Sequence, residues 1–206
     1  ERKAEHYLRN HQYNEVLKVG KNSVEASRTL TVLRTIAMSH TGTLGEKLFE
    51  YPQYYKTDGL FFANDSSTVL RYTNDSIYYL LGVRPYNGED RMEFLRNICY
   101  KGTGKSTSLD YYLSALLLEK RLDSFAQAIV DFCEPDEDFA RYYKEAMLIY
   151  RDRHPDYPIQ VTDSVMIQRY AEYKVRRKDF TSAIEERNKM RREFGETYWW
   201  YFDYQH

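Results

Sequence analysis

His40-Thr41-Gly42-Thr43-Leu44-Gly45-Glu46-Lys47-Leu48-Phe49-Glu50-Tyr51-Pro52 decides how the rest of the chain is read. Upstream of it, Leu30, Leu33, Ile36 and Ala37 recur at helical spacing, so a helix from about Ala26 to His40 runs into the stretch. Thr41-Gly42 ends that helix with the residue type that tolerates a left-handed cap. A partner helix follows from about Thr43 to Tyr51, and Pro52 stops it. The product is a short helical hairpin. The same order of parts recurs at 9–17, 120–126 and 177–184: a helix end, a polar turn, and a second helix that starts acidic and turns apolar. A lone hairpin of this size cannot bury its apolar stripe, so the hairpins must stack on neighbours.

Outward from that stretch, the pattern predicts helices at about 2–10, 12–21, 89–100, 108–120, 122–132, 136–153, 162–177 and 179–194. Asp75 reads as the N-cap of a short helix, Ser76 to Leu81, closed by Gly82. Gly195 ends the helix before it, and Tyr198-Trp199-Trp200-Tyr201-Phe202 opens an aromatic final segment. Residues 52–74 carry Gly59, Asn64, Asp65, Ser66, Ser67 and Asn74 without a sustained period. They read as a long irregular loop with a short turn at Leu60-Phe61-Phe62, its apolar residues folded back onto the helices. Nothing alternates as a sheet would. The expectation is an all-α chain forming one helical-repeat domain over residues 1–206, with small residues such as Gly42, Ala126 and Ala183 at close helix contacts.

Composition narrows the function classes. Apolar residues make up 42% and charged residues 30%, which is ordinary for a soluble protein. A net charge of −1 offers no global field for nucleic acid, so none is expected as a partner. Charge is nevertheless uneven. Residues 61–162 hold 12 basic and 16 acidic groups, while 163–192 hold 9 basic and 5 acidic, a pattern that reads first as a solvated helix face. The 21 tyrosines suit half-buried faces between stacked helices, where a ring fills volume and its hydroxyl keeps a hydrogen bond. No apolar run reaches membrane-spanning length. The chain starts at Glu1, so we read it as a fragment of a longer protein whose missing N-terminal part could carry an anchor or export signal.

The hairpins resemble divergent tetratricopeptide repeats. Ala37, Gly42, Leu44, Leu48 and Pro52 fit one unit, and Leu113, Leu117, Leu122, Phe125, Ala126 and Pro135 another. Ala171, Phe180, Ala183 and Ile184 fit a third without the closing Pro. Most turns lack the Gly, and the spacing wanders. That resemblance implies a superhelix of stacked antiparallel hairpins that binds a protein or peptide. A narrower likeness rests on Ser27-Arg28-Thr29-Leu30-Thr31-Val32-Leu33-Arg34, on 44–52 and on Tyr142-Tyr143-Lys144-Glu145-Ala146. These strings look like those of an uncharacterised Bacteroidales family whose members resemble multi-spanning membrane proteins with a soluble helical-repeat region at the C-terminal end. It implies a membrane-associated context and no chemistry; an extracytoplasmic face would follow from the acceptor-like strings at 75–77 and 163–165. Asp75-Ser76-Ile77 and Asp163-Ser164-Val165 resemble the O-glycan acceptor of exported Bacteroidales proteins and read equally as helix starts.

Catalytic patterns are sparse. Gly102-Thr103-Gly104-Lys105-Ser106-Thr107 ends like a phosphate-binding P-loop, but the place of its first Gly holds Cys99 and a helix precedes it where a strand is needed. Asp131, Glu134, Asp136, Glu137 and Asp138 lack the central Gly and ligand offsets of a calcium loop and read as helix-start acids. The histidines at 6, 11, 40, 154 and 206 form no zinc-protease pair. Cys99 and Cys133 make no metal site; they read as buried thiols, with a disulfide as the alternative. Trp199 and Trp200 fit either a seal over the last open face of the array or a sugar-stacking platform. The sequence therefore predicts no catalytic, cofactor-binding or metal residues, no cofactor, and a non-catalytic scaffold for a protein or peptide partner. The alternatives are a ring-lined module for glycans or small ligands, using the tyrosines and the 52–74 loop, and an accessory domain of a membrane enzyme located upstream.

Overall fold

In the structure, a computed structural model, residues 1–23, 25–63 and 70–206 are described, and no strand occurs among them. The chain is all-helical. Its contacts cluster into two compact units: residues 1–48 with 52–119, and residues 49–51 with 120–206.

The first unit holds α1 (Arg2–Arg9), α2 (Tyr13–Lys18), α3 (Arg28–His40), α4 (Leu44–Lys47), α5 (Asn74–Leu81), α6 (Arg91–Tyr100) and α7 (Thr107–Leu118). Its core helices are α3, buried continuously from Leu30 to Met38, and α7, buried from Tyr111 to Leu118. A helix apolar all round must be surrounded, and α1, α2, α4, α5, α6 and a 3-10 turn at Lys56–Leu60 do this between them. Arg34 lies inside α3 with its Nη2 donating to the Val19 carbonyl at 2.6 Å, so a chain end of α2 is tied to the core by a charge-assisted bond.

The turns share one backbone device. After α3, Gly42 at φ +66° sends its N–H to the Ser39 carbonyl, and Thr43 sends its N–H to that of Met38. This paired closure satisfies the last carbonyls and needs a left-handed residue between the helices. Gly102 repeats it after α6, bonding Cys99, with Thr103 bonding Ile98. After α1 the left-handed place is held by His11 at φ +56°, and after α7 by Lys120 at φ +58°. Sequence alone misses these last two because neither residue announces a left-handed cap.

The loop at 52–74 folds back as expected. Leu60, Phe61 and Phe62 are buried, and the Asn74 side chain exchanges two hydrogen bonds with the Phe62 backbone, at 2.8 and 3.0 Å. Asn64, Asp65, Ser66 and Ser67 lie outside the described residues. One correction follows from the Asn74 bridge: the short helix begins at Asn74 and is capped by Thr73, so Asp75 lies in its first turn rather than at its cap.

The second unit holds α8 (Leu122–Phe132), α9 (Arg141–Arg153), α10 (Ser164–Arg176), α11 (Ala183–Phe194) and α12 (Tyr198–Tyr204). The seven-residue α12 packs on α9 and α11 and buries Tyr198, Trp199, Trp200, Tyr201 and Tyr204. Trp199 is 1% exposed and sits against Tyr170 and Tyr173, centroids 5.0 and 5.8 Å away, so the aromatic segment is a core. Phe49 reaches in with its ring 4.8 Å from Tyr201 and 5.0 Å from Tyr142. Glu145, 2% exposed, fastens α9 to α12: it accepts from Arg141 Nε at 2.9 Å and from the Tyr198 amide at 2.6 Å, and its carbonyl accepts from Trp199 Nε1. Ala126 is buried, and its carbonyl accepts from Tyr157 Oη, in the turn after α9, at 3.0 Å.

Three sequence-based placements change. The helix expected from Asp136 starts at Arg141, because Phe139 is buried and Ala140 is extended to put it there; the acidic run 134–138 is an exposed turn. Gly42 makes no close helix contact, since a Cβ built on it meets nothing within 4 Å; its role is its left-handed backbone. Ala183 is exposed at the start of α11.

Candidate functional site

The hairpin of α10 and α11 is the part of the second unit that its core covers least. Asp163 caps α10 by accepting from the Met166 amide at 3.0 Å, and only Tyr170 and Tyr173 of this thirteen-residue helix are buried. A 3-10 turn at Arg177–Asp179 and an extended Phe180 lead into α11, of which only Met190 and Phe194 are buried. The inward residues carry the attachment. Tyr170 Oη donates to Asp152 at 2.9 Å, Tyr173 Oη donates to Asp203 at 2.6 Å, and Tyr173 meets Phe194 edge to face at 5.2 Å.

Arg177 ties the turn to α12. Its Nη1 donates to Asp203 at 2.7 Å and its Nε to Tyr204 Oη at 3.1 Å, while Tyr204 donates to Glu186. Burial works against the guanidinium charge, but Asp203 and the phenol oxygens outweigh it and the pKa is raised. Burial also raises the pKa values of Tyr173 and Tyr204, helped by the carboxylates that accept from them. These phenols are therefore donors at neutral pH, and the arrangement positions the hairpin.

Among the charged residues left outside stands an apolar row. Ile167, Ala171 and Val175 stand at i, i+4 and i+8 on α10, all exposed, with Val175 64% exposed. Ile184 of α11 is 76% exposed. On one side of the α10 ridge lies a groove of about 660 Å³ lined by Ala171, Lys174, Val175, Arg177, Lys178 and Glu186. On the other lies a concavity of about 470 Å³ that shares Ala171 and Val175 and is bordered by Gln168, Glu172, Arg176 and Asp179. Several cations of the hairpin are paired, Lys174 with Asp152 at 2.9 Å, Arg176 with Glu193 at 3.1 Å and Lys189 with Glu185 at 2.7 Å. Lys178, Arg187, Arg191 and Arg192 have no carboxylate partner among the described residues. Sequence reading marks both the basic excess and Ala171, Phe180, Ala183 and Ile184, yet gives no sign that the apolar members lack cover, because spacing does not say which helix face a neighbour occupies.

The other sequence-marked positions have structural employment. Lys105 of the P-loop-like string donates through Nζ to the Tyr79 carbonyl at 2.8 Å and through its amide to the Leu81 carbonyl, and it lies over the Tyr79 ring. Thr107 and Ser108 bond the Leu80 and Leu81 carbonyls, so the string caps the end of α5. His40 stacks on Tyr13 at 4.8 Å, His11 bonds Tyr13, and His154 stacks on Tyr150 at 4.0 Å. Ser76 and Asp163 serve helix starts. Cys99 and Cys133 are half-buried thiols without a disulfide between them. Among the described residues no three His, Cys, Asp or Glu side chains form a metal-sized group, and no helix is long and apolar enough to cross a membrane.

Fold and site together define an all-helical protein with an open, apolar-ridged hairpin. A family of unknown function (DUF6057) matches residues 2–108 and again 84–205, and the chain belongs to it. No curated protein and no solved structure matches the chain.

Proposed function

We propose that this protein is a non-catalytic binding module for a protein or peptide, related in design to tetratricopeptide-like repeats, and that the α10–α11 groove is where it binds. The observation that supports this most is the uncovered ridge Ile167–Ala171–Val175 beside a groove of about 660 Å³. An apolar ridge rimmed by charges on a well-anchored hairpin is the ordinary make-up of an interaction surface. For the glycan-platform alternative, the rings of Trp199, Trp200, Phe61 and Phe62 are buried, while Tyr54, Tyr79, Tyr86 and Tyr100 stand exposed.

The test is selection of random peptides on the full-length chain, each hit then measured against Val175→Asp and Ile184→Asp. Peptides that bind the parent and lose at least about tenfold on either variant are the expected result, since a carboxylate must be desolvated under the ligand. Hits that bind both variants as well as the parent, or no hits at all, would remove the groove from consideration.

A further inference from the structure

We infer that the occupant of this groove is an amphipathic helix with carboxylates along one edge, an inference that rests on the binding role proposed above. Three observations lead there. First, the exposed positions fall at i, i+4 and i+8 on α10 with the small Ala171 in the middle. That is a ridge a second helix packs across, and a small central residue lets the axes come close. The two concavities flanking the ridge, about 660 and 470 Å³, are the hollows into which the partner's own side-chain rows would settle.

Second, the surface offers nothing to an extended chain. The backbone of α10 is bonded within the helix, and no strand edge exists among the described residues. A strand laid here would leave its amides and carbonyls unmatched where contact excludes water, whereas a helix brings its backbone already satisfied.

Third, the charges select the sign of the rim. The stretch 163–192 carries 9 basic and 5 acidic residues. Lys174, Arg177 and Lys178 line the groove against Glu186; Lys178 has no carboxylate partner among the described residues, and Lys174 pairs with Asp152 and lies over the Tyr170 ring. A partner helix with Glu or Asp facing this edge gains attraction, and a lysine-rich one meets like charge. The acidic stretch of this chain, Glu134 to Asp138, is a turn without apolar residues at helical spacing, so a second copy is not the favoured occupant.

The experiment uses the full chain and three labelled peptides of about 18 residues, some five helical turns. One has leucines at i, i+3, i+4 and i+7 with flanking glutamates. The second has lysines in place of the glutamates, and the third has alanines in place of the leucines. Anisotropy titrations should show the glutamate peptide binding at least about tenfold tighter than either other, and more weakly as salt rises from about 50 to about 300 mM. Lys178→Glu should cost it about two- to fivefold and improve the lysine peptide by a like factor, the usual scale of one exposed ion pair. Val175→Asp should abolish the glutamate peptide's advantage. The inference fails if the lysine peptide binds as well, or if neither leucine peptide binds. It also fails if the peptides selected on the groove are neutral, basic or non-helical, an outcome that leaves the binding role itself standing. Sedimentation showing a dimer of the chain that Val175→Asp dissociates would instead put a second copy on the ridge and overturn it.

Discussion

Glu145 shows how much one buried carboxyl can carry. Burial pushes it from an ordinary 4.5 up to about 7, against the pull of Arg141 and the Tyr198 amide. A folded-state value above the unfolded one means that the group's contribution to stability is present below about pH 4.5 and is lost as pH rises through 7. At roughly 1.4 kcal/mol per pH unit the whole effect is about 3 kcal/mol. Glu145→Gln keeps an acceptor for Tyr198 and cannot ionise. Its stability relative to the parent should therefore improve from pH 5 to pH 8 by up to about 3 kcal/mol, read from urea unfolding at both pH values. A difference independent of pH would show that the carboxyl titrates normally. Glu145→Ala should cost about 3 kcal/mol or more at pH 5, since it strands the Tyr198 amide and the half-buried Arg141, and less at pH 8, where the parent has lost the titrating contribution. Burial likewise pushes the Cys99 thiol up to about 12, so in the native protein it should alkylate far more slowly at pH 8 than an exposed cysteine. Denaturation without reductant should release two reactive thiols; fewer would indicate a disulfide.

At the level of the helix and its turn, the left-handed residue after each hairpin's first helix is the controlling feature. Because a Cβ on Gly42 would meet no neighbour within 4 Å, Gly42→Ala isolates the backbone cost, about 1 kcal/mol. His11 presents the converse case, a branched-ring residue held at φ +56° on the surface. His11→Gly should stabilise by about 0.5 kcal/mol after loss of its bond to Tyr13, and thermal unfolding of both variants would check the opposite signs. Gly42 could be read from the sequence as a cap because glycine at a helix end is the common solution. The equivalent role of His11 and Lys120 could not, because neither residue type marks a left-handed position as glycine does. For the same reason the acidic run before α9 misleads: acids favour a helix start, but burial of Phe139 places the start five residues later, at Arg141.

Across the whole molecule, the buried aromatic cluster around Trp199 and the uncovered ridge on α10 make opposite demands on mutation. Val175→Asp and Ile184→Asp replace side chains that are 64% and 76% exposed, so each should move stability by no more than about 0.5 kcal/mol while removing peptide binding. A large drop in melting temperature would show instead that these residues support the fold.

Sequence by itself determined that this chain is helical and where its main hairpins turn. Those features depend on periodicity and turn chemistry within a few neighbours, which the order of residues carries directly. Tertiary structure alone decided that Trp199 is core while Val175 is surface, that Lys105 caps a helix rather than awaiting a phosphate, and that the chain gathers into two units. Each of these depends on which distant helix arrives to cover a face. An apolar residue at helical spacing looks the same in sequence whether or not that neighbour comes.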